Sequence, residues 1–101
     1  MIEYNGNKYN YKFTLPRVEK IEKAIGKPIL SLLIENKGVV SIENLKILHE
    51  NGLRTEDDNF VGEKIAKEMF EEVLNQKGYA ALLEELIGAL QRDCPFFFPA
   101  D

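Results

Sequence analysis

The hydrophobic period of this chain changes once, around Thr14-Leu15-Pro16, and that change constrains the fold more than any other feature. Before it, Ile2 and Tyr4 alternate with polar residues, and Tyr9, Tyr11 and Phe13 alternate with Asn10 and Lys12. A period of two is the mark of a strand with one buried face. Between the two runs, Asn5-Gly6-Asn7 supplies residues that tolerate positive φ, which a tight hairpin turn requires. An isolated hairpin is marginal in water, so it must dock on helices or pair with a further strand.

After the change the period is helical. Thr14 or Leu15 is read as the cap of a first helix, with Pro16 in the first turn, where no N–H is needed. Val18, Ile21 and Ile25 form its stripe, Glu19 and Lys23 support it at i,i+4, and Gly26 followed by Pro28 ends it. Residues 29–36 read as a short buried helix. Ser41 is a good N-cap for a helix in which Ile42, Leu45, Leu48 and Leu53 follow at near-helical spacing, with Asn51-Gly52 as its stop. Thr55 and Asp58 are read as a partial capping box for the longest helix, over roughly 57–76. Phe60, Val61, Ile65, Ala66, Met69, Phe70, Val73 and Leu74 would give that helix an unusually wide apolar face. A last helix over roughly 79–92 places Tyr79, Leu82, Leu83, Leu86, Ile87 and Leu90 on one side. Cys94-Pro95 ends it, and the prolines bracketing Phe96-Phe97-Phe98 suit neither a helix nor a central strand.

The expectation is a mainly α fold: an N-terminal β-hairpin followed by a bundle of about four to five helices. It would be one domain over 1–101, with the hairpin in 1–14, the bundle in 15–93 and an apolar Pro/Phe tail in 94–101. With 101 residues, 45% apolar, a chain of this size buries about two-thirds of its unfolded surface, enough for a core without staples. Cys94 is the only cysteine, so no internal disulfide or cysteine zinc site can form. That usage suits a reducing cytosol. Met1-Ile2-Glu3-Tyr4-Asn5 lacks the basic start and apolar run of a signal peptide, and no apolar stretch approaches the ~20 residues needed to cross a bilayer. A cytoplasmic protein without a membrane partner is expected.

The net charge is −4. Residues 1–20 carry +2, and the remainder, with nine bases against fifteen acids, carries −6. An acidic body argues against nucleic acid, because phosphate binding rests on Lys and Arg displacing counterions. A small helical transcriptional regulator, imitated by the short helices around Asn51-Gly52, is the alternative reading, alongside other protein-interaction modules. The nine acids and three bases of residues 56–85 disfavour it.

No catalytic constellation emerges. Ser31 or Ser41 with His49 and a carboxylate could be drawn as a triad, but nothing in the spacing selects it, and His49 reads as a surface or groove residue. Cys94 follows Asp93, whose charge raises a thiol pKa, and reads as a structural cysteine. Glu56, Asp57 and Asp58 lack the calcium-loop pattern, and no glycine-rich phosphate loop is present. No enzyme activity, cofactor or metal is expected.

Three features exceed the background. Tyr9, Tyr11 and Phe13, with Tyr4, concentrate aromatics in the hairpin. Phe96, Phe97 and Phe98 make an apolar chain end, and the wide face on residues 60–74 exceeds what one core contact needs. A partner-binding surface is therefore expected in Tyr9, Tyr11, Phe13, Met69, Phe70, Leu83, Phe96, Phe97 and Phe98. Met69, Phe70 and Leu83 would line a groove between the last two helices.

The order of elements carries a resemblance. The aromatic hairpin Glu3 to Phe13 is followed by a helix with Val18, Glu19, Ile21 and Glu22, then Gly26-Lys27-Pro28-Ile29, and the chain ends in the Leu82–Leu90 helix and phenylalanines. This resembles, over nearly the whole chain, the tail assembly chaperones of siphovirus-type phages, in the group found in phages of low-GC Gram-positive bacteria. The resemblance implies a non-enzymatic chaperone in the host cytoplasm, absent from the finished virion. It would bind the long, helical, apolar tape measure protein, keep it soluble and promote tail tube assembly around it. The tail tube protein is a second candidate partner, and a homo-oligomer is a third association to test. It also implies a longer product made by ribosomal frameshifting, with this chain the short product. Three phenylalanine codons can supply a slippery stretch, which the gene sequence would reveal.

Overall fold

The structure is a computed structural model that describes residues 2–34 and 38–97. Strands β1 (Ile2–Tyr4) and β2 (Asn7–Tyr11) form the expected hairpin. Its two-residue loop is Asn5-Gly6, both at positive φ (51° and 79°), as a turn matching the twist of the strands demands. Ile2 pairs with Tyr9 and Glu3 with Lys8, so the apolar pair faces inward and the opposite charges face out.

The hairpin gains a third strand that the sequence reading did not place. Strand β3 (Leu53–Thr55) pairs antiparallel with β2, setting Leu53 opposite Tyr11 and giving the order β1-β2-β3. It is short because it is squeezed between a helix end and a turn. The pairing supplies the extra strand that a lone hairpin needs.

Five α-helices follow the hairpin among the described residues. Helix α1 (Leu15–Ile25) has Thr14 as N-cap and Pro16 in its first turn. Gly26, in the left-handed region at φ 76°, closes it by donating its N–H to Glu22 O. The Glu22 carboxylate then accepts the Ile29 N–H at 2.9 Å, which sets the start of α2 (Ile29–Ile34). The expected end of that helix, residues 35–36, lies outside the described residues. Helix α3 (Ile42–Gly52) starts as expected, with Ser41 Oγ accepting the Asn44 N–H.

Helix α4 (Glu63–Lys77) starts six residues later than expected. Thr55 and Asp58 do not cap it. They build a tight turn instead: Asp58 N–H donates to Thr55 O, Asn59 N–H donates to Thr55 Oγ1, and Asp58 takes φ 65°. The turn doubles the chain back so that Phe60 bridges to Arg54. Phe60 and Val61 therefore belong to this return, not to a helix. The Phe60 ring lies between the Arg17 and Arg54 guanidiniums, at 3.8 and 3.6 Å from its centroid. With these two residues removed, α4 buries an ordinary single stripe, Ala66, Met69, Phe70 and Val73. The apparent breadth of the apolar face came from counting a turn as helix.

Helix α5 (Tyr79–Asp93) buries Leu82, Leu86, Ala89 and Leu90. A 3-10 turn, Pro95–Phe97, follows it. The core is one cluster running from Ile2 to Cys94, to which the sheet and α1–α5 all contribute. The tip of the Phe13 ring abuts Gly52, where an added Cβ would stand 2.5 Å from Phe13 Cζ. Gly52 thus serves close packing as well as the end of α3.

Candidate functional site

The expected surface residues divide sharply once placed. Tyr9, Tyr11 and Phe13 point into the core and are buried, because the inward face of β2 is the face that meets the helices. Met69 and Phe70 are buried as well, so the α4–α5 seam is a closed contact and not a groove. A charge introduced at Phe70 would be an unpaired buried charge and would test folding rather than binding. Leu83 is half-buried, Phe96 is 58% exposed, and Phe97 is partly packed, its ring 4.7 Å from that of Phe96. Phe98 lies outside the described residues.

The apolar cleft is on the other side of α5. Next to the buried stripe runs a second one, Tyr79, Leu83 and Ile87, at i, i+4 and i+8, each half-buried, of which Tyr79 and Leu83 pack against the core. Ala80, Glu84, Gly88 and Gln91 continue outward on the exposed face. Gly38 and Val39 complete a cleft of about 750 Å³ to which no residue of α4 contributes. Val39 is 55% exposed. Tyr79 holds the segment in place: its hydroxyl donates to Val40 O at 2.6 Å and accepts the Val40 N–H at 2.9 Å. Glu84 is the one charged residue in the lining.

The outer face of α4 is acidic and polar. Glu68, Glu71, Glu72, Asn75 and Gln76 flank Tyr4 around a shallow depression, with no cation among them. A third depression, where the sheet meets the end of α5, is a salt-bridge network. Lys12 pairs with Asp58 at 3.1 Å, and Arg92 pairs with Asp93 and donates to Tyr11 O at 2.7 Å. Asp93 also accepts the Phe13 N–H at 2.9 Å. Arg92 and Asp93 fasten the end of the hairpin to α5, and Lys12 ties it to the turn after β3. Arg92 and the Phe13 amide hold the Asp93 carboxyl below the usual range, against the upward push of burial.

His49 is not at the surface. It is fully buried beneath the sheet. Ala66 O can only accept, so His49 Nε2–H donates to it at 2.9 Å. Nδ1 is then an acceptor and takes the Tyr11 hydroxyl at 2.5 Å. Burial, with a smaller push from Lys46, lowers the His49 pKa to about 4 despite the bond to Ala66. Burial, and secondarily Glu85, raises that of Tyr11 well above its ordinary value. Both imidazole nitrogens are occupied by partners that hold the fold, and Ser41 is spent on its cap. The period-2 reading could have found half of this pair, since it placed Tyr11 inward. Nothing in the sequence marked His49 as its acceptor.

Cys94 is buried, its thiol 3.9 Å from Phe13 O, and burial with help from Asp93 raises its pKa. Among the described residues no group of three or more His, Cys, Asp or Glu is placed to hold a metal ion. Among them, too, no helix is long and apolar enough to cross a membrane. Comparison with protein-family models, with curated proteins and with solved structures returns no match for the chain.

Proposed function

We propose that this protein is a tail assembly chaperone that binds the tape measure protein, keeps it soluble and promotes tail tube assembly around it. The observation that carries the reading is the second apolar stripe of α5, Tyr79, Leu83 and Ile87, open to solvent in the cleft beside Val39. An amphipathic helix is the natural occupant of such a cleft. A client that is long, helical and apolar offers many such segments, and weak sites on many copies of a small chaperone can cover it. The net charge of −4 keeps the chaperone soluble while that stripe is exposed. The element order that resembles the phage chaperones supports the same assignment. It carries with it the host cytoplasm as the place of action and the tail tube protein as a further contact.

Co-expression with the tape measure protein tests the reading. Ile87→Glu places a charge in the cleft at a half-exposed position. It should leave the thermal unfolding of the chaperone nearly unchanged while lowering the soluble fraction of the client. Removing one such apolar anchor weakens a helix-in-groove contact by about 1–3 kcal/mol. A folded Ile87→Glu protein that solubilises the client as well as the unaltered protein rejects the cleft as its site. A client that is equally soluble with no chaperone present rejects the function.

A further inference from the structure

Arg54 carries the only permanent charge among the buried residues described. It is 6% exposed, and a guanidinium does not give up its proton at ordinary pH. A buried charge is tolerated when it is paired and its donors are met. Arg54 is served poorly on both counts. Nη1 donates to Asp58 O at 3.2 Å and reaches the Asp58 carboxylate only at 3.5 Å. Nε is sealed from solvent and has no hydrogen-bond partner among the described residues. The Phe60 ring covers one face of the guanidinium, but a ring face meets none of the N–H groups, which lie in the guanidinium plane. Arg17, across the same ring, adds a further positive charge nearby.

Asp58 does not belong to Arg54 alone. Its carboxylate lies closer to Lys12, at 3.1 Å, and its side chain is 57% exposed. The turn that carries it is held by its backbone N–H and by Thr55, and its own carboxylate takes no part. Lys12, Arg54, Asp58 and Arg92 line one depression of about 510 Å³.

We propose that this depression binds an external carboxylate, and that Asp58 is the protein's own stand-in for it. The incoming group displaces the Asp58 carboxylate and bridges Arg54 and Lys12. Asp58 loses little on leaving, because more than half of its side chain is already in water. A carboxylate set squarely on a guanidinium fork meets two nitrogens, where that of Asp58 meets one. Glu56 and Asp93 also line the depression, with Asp93 paired to Arg92. These acids limit the charge it accepts, so a monoanionic carboxylate suits it and a dianion such as sulfate does not. The carboxylate can stand on a small molecule or on an acidic side chain of a polypeptide. The depression shares no lining residue with the α5 cleft, so either reading can fail without the other.

Proton–nitrogen NMR of the arginine Nε–H groups in the full chain tests it, with sodium acetate replacing sodium chloride at constant ionic strength and neutral pH. The Arg54 signal should shift saturably, with a dissociation constant on the order of 10 mM. Asp58→Asn vacates the seat and keeps the turn, since asparagine accepts positive φ as readily as aspartate. It should bind acetate at least tenfold more tightly. Lys12→Gln, at an exposed position, should bind it severalfold more weakly, and sulfate should bind less well than acetate. A blocked Ala-Glu-Ala peptide that binds at least tenfold more tightly than acetate assigns the carboxylate to a polypeptide. Equal affinity assigns it to a small molecule, and either result upholds the site. An Arg54 signal that moves no further in acetate than in chloride overturns the proposal. So does an Asp58→Asn protein that binds acetate no more tightly than the unaltered one, and so does a preference for sulfate.

Discussion

Acidification should unfold this protein through one imidazole. His49 has no exposed surface, and in its neutral form it satisfies two buried partners, Ala66 O through Nε2–H and the Tyr11 hydroxyl through Nδ1. A second proton has to go on Nδ1, where it would confront the hydroxyl hydrogen and bring a charge into the core. Its pKa is accordingly lowered, chiefly by burial, from 6.5 to about 4. In the unfolded chain the imidazole returns to the ordinary value. Between those two values the unfolded chain therefore binds a proton that the folded chain refuses, and stability falls as the pH falls. The loss levels off as the pH passes below the folded value of about 4. At about 1.4 kcal/mol per pH unit, it amounts to roughly 2 kcal/mol by pH 5 and roughly 3 kcal/mol at pH 4. For a domain whose whole stability is about 5–15 kcal/mol this is a large share. Urea unfolding followed by helical circular dichroism at pH 7, 6, 5 and 4.5 measures it. His49→Gln supplies the reference, because its amide can donate to Ala66 and accept from Tyr11 but does not titrate. Carboxylates such as Asp93 act in both proteins, so the difference between the two curves isolates the imidazole. Parallel curves for the two proteins, or a His49 ring signal titrating near 6.5 in the folded state, would refute the argument.

The remaining expectations concern single side chains. Gly52→Ala should raise stability by about 1 kcal/mol if helix propensity ruled. The 2.5 Å approach of the new Cβ to Phe13 reverses the sign, to a loss of about 1–3 kcal/mol seen as a melting point several degrees lower. Phe13→Leu in the same chain should recover part of it. Asp93→Ala strips the acceptor from the Phe13 N–H and a partner from Arg92. It should cost about 1–3 kcal/mol at neutral pH by urea unfolding. The cost should shrink in acid, because the lowered pKa of Asp93 means its contribution disappears as the carboxylate is protonated.

The legible part of the fold was local. Asn5-Gly6 announced the hairpin, Gly26 the end of α1 and Ser41 the start of α3. Each of these residues has a backbone or capping chemistry that operates within a few positions of itself. Where the reading failed, the deciding partner was far along the chain. Thr55-x-x-Asp58 has the spacing of a capping box, and the same side chains build a turn once β3 pairs with β2. Leu53 follows the apolar spacing of α3 because it too is buried, but the chain there is already extended. His49 stands four residues from both Leu45 and Leu53, so the helical period sets it on the buried side, but only Tyr11, 38 residues earlier, gives its ring a partner there. The interaction surface was illegible for the same reason. Tyr11, Phe13, Met69 and Phe70 are apolar enough to be contacts, and period alone cannot separate a stripe that meets the core from one that meets a partner.

That distinction decides which apolar residues bear on function. Leu15, Leu30, Ile34, Val39, Ile42, Phe60, Ile65 and Phe96 are all well exposed. Scattered exposed apolar residues are normal on any protein surface and need no partner. Phe60 is already accounted for, held between two guanidiniums. The α5 cleft differs in kind. Tyr79, Leu83 and Ile87 lie on successive turns of one helix, and they adjoin a segment fixed by both hydrogen bonds of Tyr79. A rigid, continuous, partly buried stripe loses little entropy when it is covered, so covering it yields more affinity than the same area of loose surface would. Under the proposed function, variants of Leu83 and Ile87 rather than of the buried Met69 and Phe70 are those expected to change client binding without changing the fold.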